Sequence, residues 1–231
     1  MDKIDHIKKN ISDVLRRISQ AAIDCGRNPD EIRLVAVGKT QPVTTIGHAI
    51  AAGASIIGEN YIQEAREKFD ALCQFDTQWH FIGHLQSNKA KYAVRMFDLI
   101  HSVDSLKLAR EMDKQARKIS KKQHILIQVN ISGERTKSGI AEKQAHELVE
   151  QVLALENLHL QGLMTMPPFF DAPEKARPYF AALRDLRDRL ENRLGVELKD
   201  LSMGMTGDFE VAIEEGATLV RIGTALFGVR Q

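Results

Sequence analysis

Cysteine is nearly absent from this chain: Cys25 and Cys73 are the only two, and they lie far apart in sequence. Two distant thiols supply neither a disulfide framework nor a metal-ligand set, so a reducing compartment is the default. Charge of one sign is missing too. Lys plus Arg number 32 and Asp plus Glu 31, a formal net charge of +1, which gives no electrostatic footing for nucleic acid or an anionic membrane. No apolar run approaches membrane-spanning length. The N-terminus, Met1-Asp2-Lys3-Ile4-Asp5, is charged and leads into an amphipathic pattern in place of a signal-peptide core. There is no linker, low-complexity tract or short internal repeat, and no serine nucleophile elbow, Walker loop or dinucleotide fingerprint. These absences lead to the expectation of a cytoplasmic protein forming one domain over residues 1–231, with ample length for a core.

What the chain does carry is a repeated switch between two periodicities. Ile4, Ile7, Ile11, Val14, Leu15, Ile18 and Ala22 recur at helical spacing and predict an amphipathic helix that stops near Gly26. Strands are then predicted at 33–37, 54–58, 79–83, 97–101, 124–130, 158–164, 198–202 and 218–222. Between them fall helices at 42–52, from an Asn60/Gln63 capping box to Leu72, at 85–94, at 104–120 and at 141–155. Two more follow: one capped by Asp171 with Glu174 and delayed by Pro178, reaching Leu194, and one from Thr206 to near Gly216. Eight strand–helix units imply a parallel sheet. In an α/β chain of this length they favour a closed (β/α)8 barrel of the TIM type over an open doubly wound sheet.

Functional groups of such a barrel gather at the carboxyl ends of its strands. There the sequence places Lys39, Asn60, His80 with His84, Asn130, Met164 with Thr165, the Ser202 to Thr206 loop, and Arg221 with Gly223 and Thr224. A lysine in a partly desolvated crevice has a lowered pKa, and its neutral amine condenses with aldehydes. Taken alone, Lys39 also fits a solvated lysine at a strand edge. Ser202-Met203-Gly204-Met205-Thr206-Gly207-Asp208 joins hydroxyls, glycines and a predicted helix start, and Arg221-Ile222-Gly223-Thr224 adds a guanidinium and another hydroxyl. These are the loops after strands seven and eight, where barrels often seat a phosphate. The same residues could instead cap a helix and pair an internal carboxylate. His80 and His84 on a strand-turn share no face, and no third metal ligand is evident. Glu134, Lys137 and Gly139 read as a lid or as a solvated loop.

Several motifs in order carry a resemblance. Val35-Ala36-Val37-Gly38-Lys39-Thr40, Gly58-Glu59-Asn60-Tyr61, Trp79 through Lys89, Ser202-Met203-Gly204-Met205 and Val220-Arg221-Ile222-Gly223 resemble the YggS/PROSC family of pyridoxal phosphate-binding homeostasis proteins. The resemblance implies a fold-type III barrel like the N-terminal domain of alanine racemase, binding pyridoxal 5′-phosphate. It implies that Lys39 holds the cofactor as a Schiff base and that Arg221 faces the pyridine nitrogen. Ser202, Thr206, Gly223 and Thr224 would then hold the phosphate, Met203 would belong to the cofactor site, and Asn60 and His80 would lie near the ring. Gly38 departs from the family, where serine is usual. The implied role is vitamin B6 homeostasis and supply, with apo PLP-dependent enzymes as recipients and the protein a monomer. No established catalysis comes with it. The rival reading is an amino-acid racemase working with the barrel alone. A third is a barrel enzyme whose lysine forms imines with a sugar phosphate.

Overall fold

Each stretch rich in valine, isoleucine and leucine becomes a parallel strand in a computed structural model that describes residues 3–134 and 136–228. The strands are β1 (Arg33–Val37), β2 (Ile56–Glu59), β3 (Gln78–Phe81), β4 (Leu99–Val103) and β5 (Gln123–Asn130). A two-residue strand β6 (Ile140–Ala141) follows, then β7 (Leu158–Met164), β8 (Asp200–Ser202) and β9 (Leu219–Ile222). Neighbours pair in the order β4-β3-β2-β1-β9-β8-β7-β5, and β4 also pairs with β5. That last pairing closes the ring, so eight strands form a barrel and β6 merely flanks the end of β5.

The helices around it are α1 (Lys3–Asp24), α2 (Val43–Ala51), α3 (Ile62–Leu72), α4 (Ala90–Met96) and α5 (Leu106–Arg117). They continue as α6 (Glu142–Leu153), α7 (Arg177–Leu194), α8 (Phe209–Glu214) and α9 (Thr224–Phe227). The extra helix α1 buries Ile7, Ile11, Val14 and Ile18 and packs across α2, α8 and α9. It therefore covers the seam where β9 meets β1. Ile4 and Leu15 of its predicted apolar stripe are exposed.

Some predicted boundaries moved, for physical reasons. The helix expected from Leu85 begins at Ala90, after a 3₁₀ turn at Ser87–Lys89. Leu85 is instead buried in an irregular segment, where Gly83 lets two loops touch: a Cβ there would press on the Asn60 carbonyl and lie 2.7 Å from its Cα. The Asn60/Gln63 capping box does not form. Tyr61 occupies the position before α3 and makes no side-chain cap. Likewise α8 starts three residues beyond Thr206, with Asp208 before it. Asp171 and Glu174 do not cap α7, which follows a 3₁₀ turn at Pro173–Ala176. Pro178 sits in its first turn, where no backbone donor is lost.

Alternation along the strands sorts the interior into layers. Val35, Ile56, Leu99, Leu126, Met164 and Leu219 form their own buried cluster, apart from the larger core between sheet and helices. Two residues earlier along β1, Arg33 pairs with Asp200 of β8 at the amino-terminal end. Two residues later along β4 and β9, the layer turns polar: His101 and Arg221 lie above Leu99 and Leu219. That upper layer is the floor of the mouth.

Candidate functional site

The floor is a continuous hydrogen-bonded chain of buried side chains. Arg221 donates to the Ser202 hydroxyl at 2.6 Å and to the Thr165 carbonyl at 2.9 Å. Ser202 Oγ lies 2.8 Å from His101 Nδ1, and His101 Nε2 lies 3.0 Å from His80 Nδ1. His80, His101, Ser202 and Arg221 are all at most 3% exposed, so each proton in the chain needs a partner here. Burial keeps both imidazoles neutral: it pushes His80 down to about 3, and His101 also falls well below its ordinary value, with His80 adding to the effect. Arg221 can only donate, so Ser202 must accept from it. The hydroxyl proton then goes to His101 Nδ1, the His101 Nε2 proton to His80 Nδ1, and His80 is left with its proton on Nε2. This assignment gives each hydrogen bond along the chain one donor and one acceptor. Burial lowers Arg221 to about 10, partly countered by Asp208, and the guanidinium stays charged near neutrality.

Above this floor the loops after β1, β8 and β9 meet. Lys39 follows β1 in a turn closed by the Gln41 amide donating to the Gly38 carbonyl at 3.0 Å. Thr40 has φ of 64° while Lys39 does not have positive φ, the sign pattern of a type II turn. A β-branched residue in that region carries strain of about 1–3 kcal/mol, which the surroundings must sustain. Lys39, Thr40 and Gln41 line a cavity of about 50 Å³ together with Val37, Gly223, Thr224, Phe227 and Gly228. The Thr206 hydroxyl accepts from the Ala225 amide at 3.5 Å, a long bond that ties the loop after β8 to the start of α9. Met205 N–H is held by Asp208 Oδ1 at 2.6 Å.

Seven of the nine residues singled out from the sequence fall into two groups, and Met203 and Asn60 stand apart. Lys39, Gly223 and Thr224 share one cavity, with Thr206 beside α9. His80, Ser202 and Arg221 belong to the floor. Met203 is fully buried in the outer core, its amide bonded to the Leu219 carbonyl. Asn60 stands at the end of β2, and its side-chain oxygen is buried without a hydrogen-bond partner. Asn130 is committed elsewhere, donating to the Glu134 and Lys137 carbonyls of its own loop. A larger cavity, about 940 Å³, is an open groove between α6 and α7, and of the mouth candidates it touches only Asn130. Its lining does not include the lysine, which belongs to the smaller space.

Sequence reading missed His101, although a histidine inside an apolar strand was the available signal. It also missed Lys68, a lysine on the buried face of α3 with only 5% of its side chain exposed. Lys68 bonds Glu59 Oε1 and the Gly38 carbonyl, each at 2.7 Å.

A closed parallel barrel with a lysine after its first strand and a buried arginine in its last defines the class: a (β/α)8 barrel with an amine-bearing mouth. The chain belongs to the alanine racemase N-terminal domain family, whose profile matches residues 4–231. It is 48% identical over 223 residues to a pyridoxal phosphate homeostasis protein of Aquifex aeolicus, covering 96% of this chain and 98% of that one. PipY of Synechococcus elongatus PCC7942, solved with PLP bound, is 33% identical with a TM-score of 0.86, covering 96% of this chain and 100% of that one. An alanine racemase of Clostridium difficile 630 is 14% identical with a TM-score of 0.77, covering 98% of this chain and 57% of the racemase. That likeness shows the shared barrel.

Proposed function

We propose that residues 1–231 act as one cofactor-binding barrel domain that holds pyridoxal 5′-phosphate at Lys39 and takes part in vitamin B6 homeostasis and supply in the cytoplasm. Apo PLP-dependent enzymes are the proposed recipients, and the donor is proposed to act as a monomer without catalysis of its own. The observation that carries this reading is the meeting of Lys39 with Gly223 and Thr224 around one cavity, above a floor that ends in a buried, charged Arg221. The residues fit the cofactor. An amine, a guanidinium and backbone and hydroxyl donors are what an aldehyde, a pyridine nitrogen and a phosphate ask for, and Asn60 has a buried oxygen still lacking a partner. When bound, pyridoxal phosphate supplies an aldehyde that condenses reversibly with an amine and a ring that withdraws electrons. Thr206, Gly223 and Thr224 would hold the phosphate, and Asn60 and His80 would lie beside the ring. Arg221 would face the ring nitrogen as a donor. It offers no carboxylate to keep that nitrogen protonated, which suits holding the cofactor better than carbanion chemistry. Ser202, whose hydroxyl is already taken by Arg221 and His101, would orient Arg221, with Met203 anchoring the same loop.

Paired titrations with pyridoxal phosphate and free pyridoxal test these roles. Replacing Thr206 and Thr224 by alanine should weaken pyridoxal phosphate on the order of 1–3 kcal/mol and leave pyridoxal nearly unchanged. Ser202→Ala should weaken both alike. Equal losses of both ligands in the threonine variant would remove the phosphate assignment. Production of D-alanine from L-alanine at about 1 per second or faster, abolished in Lys39→Ala, would replace the non-catalytic reading with a racemase.

A further inference from the structure

Both peptide groups flanking Lys39 are held by one helix outside the barrel. The carbonyl before it, that of Gly38, accepts from Lys68 Nζ at 2.7 Å. The amide after it, that of Thr40, donates to Glu64 Oε2 at 2.8 Å. Glu64 and Lys68 lie one turn apart on α3, with their charged atoms 3.7 Å from each other. Lys68 is anchored by Glu59 Oε1 at 2.7 Å, and the Glu59 side chain is fully buried. With the peptide on each side hydrogen-bonded to α3, rotation of the backbone at Lys39 would break one of these bonds, which ties the direction of its Cα–Cβ bond to α3. The left-handed Thr40 is the strained element that such a clamp would sustain.

We propose that Lys68 and Glu64 are positioning residues that aim Lys39 into the mouth, with Glu59 anchoring Lys68. The consequence for the cofactor rests on the reading of Lys39 given above. A plain packing role for the Glu59–Lys68 pair would need only a bond between β2 and α3. Here Lys68 also spends a donor on the carbonyl next to Lys39, and Glu64 accepts the amide on the other side. The clamp further accounts for the glycine at position 38. A Cβ there would lie 2.6 Å from Glu59 Oε1 and 2.8 Å from Ile46 Cδ1, so glycine leaves the space that the buried pair occupies.

The test begins without cofactor. Amide exchange at Thr40, followed by NMR, should quicken about tenfold or more in Glu64→Ala, as expected when a protecting hydrogen bond is lost. Glu64→Gln, whose amide oxygen still accepts, should restore protection. The second readout is the rate of covalent capture of pyridoxal phosphate. It should fall about tenfold in Lys68→Met, roughly one hydrogen bond's worth of orientation, while non-covalent affinity through the phosphate holds. Should Lys68→Met fail to fold, the pair Glu59→Leu/Lys68→Met removes both buried charges and is read in the same way. Unchanged Thr40 exchange in Glu64→Ala, or unchanged capture in the Lys68 variant, would overturn the proposal. A wild type that captures no pyridoxal phosphate would defeat the cofactor reading alone, because the Thr40 exchange still reports on the clamp.

Discussion

Three buried side chains near the mouth titrate in opposing directions. Burial raises Glu59 to about 7, with Lys68 only partly offsetting it. A carboxyl that protonates more readily in the fold adds stability that is complete below its ordinary pKa of 4.5 and lost as pH rises through about 7. His80 and His101 do the reverse. Held neutral, they contribute stability that is present above 6.5 and lost as pH falls, since unfolding then takes up their protons. Between pH 6.5 and 5, Glu59 and His80 are each worth on the order of 1–2 kcal/mol, in opposite senses. Removing the carboxyl leaves the imidazoles unopposed by Glu59, so unfolding free energy by urea titration should fall more steeply across that interval in Glu59→Gln than in the wild type. Equal slopes in the two proteins would mean that Glu59 titrates normally. None of this was legible in the sequence. His101 looked like one more strand residue and Lys68 like one more helix charge, because their roles come from neighbours up to 101 positions away.

Elements were more legible than side-chain partners, and the exceptions are instructive. β7 spans residues 158–164 as its pattern predicts, because Leu158 and Leu160 alternate with His159 and Gln161 at the two-residue period of a strand. α3 and α8 ended where apolar periodicity ends, yet their predicted caps, Asn60 and Thr206, went to other partners or none. Cap signals are local, and at the mouth tertiary contacts override them. Gly83 shows the same effect, since the irregular path after β3 has backbone meeting backbone at Asn60. Gly83→Ala must therefore push the β2 and β3 loops apart. It should cost about 2–4 kcal/mol in denaturant unfolding, within the range of severe steric substitutions, and weaken cofactor binding with it. A loss below about 0.5 kcal/mol, typical of a neutral surface site, would show that the loops move freely.

For the whole molecule, alternation of strand and helix was enough to expect the barrel, and the pairings of β4 with β5 and of β1 with β9 supply the closure that no sequence displays. Closure brings residues from opposite ends of the chain together: Lys39 shares its cavity with Gly223 and Thr224, and α1 covers the seam between them. That convergence is the central claim, and one measurement tests it most directly. The protein is loaded with pyridoxal phosphate and reduced with borohydride, and the modified peptide is identified by mass spectrometry. The account predicts a single pyridoxyl group on Lys39, lost in Lys39→Ala. A label mainly on Lys89, Lys137 or another lysine, or no label at all, would contradict it.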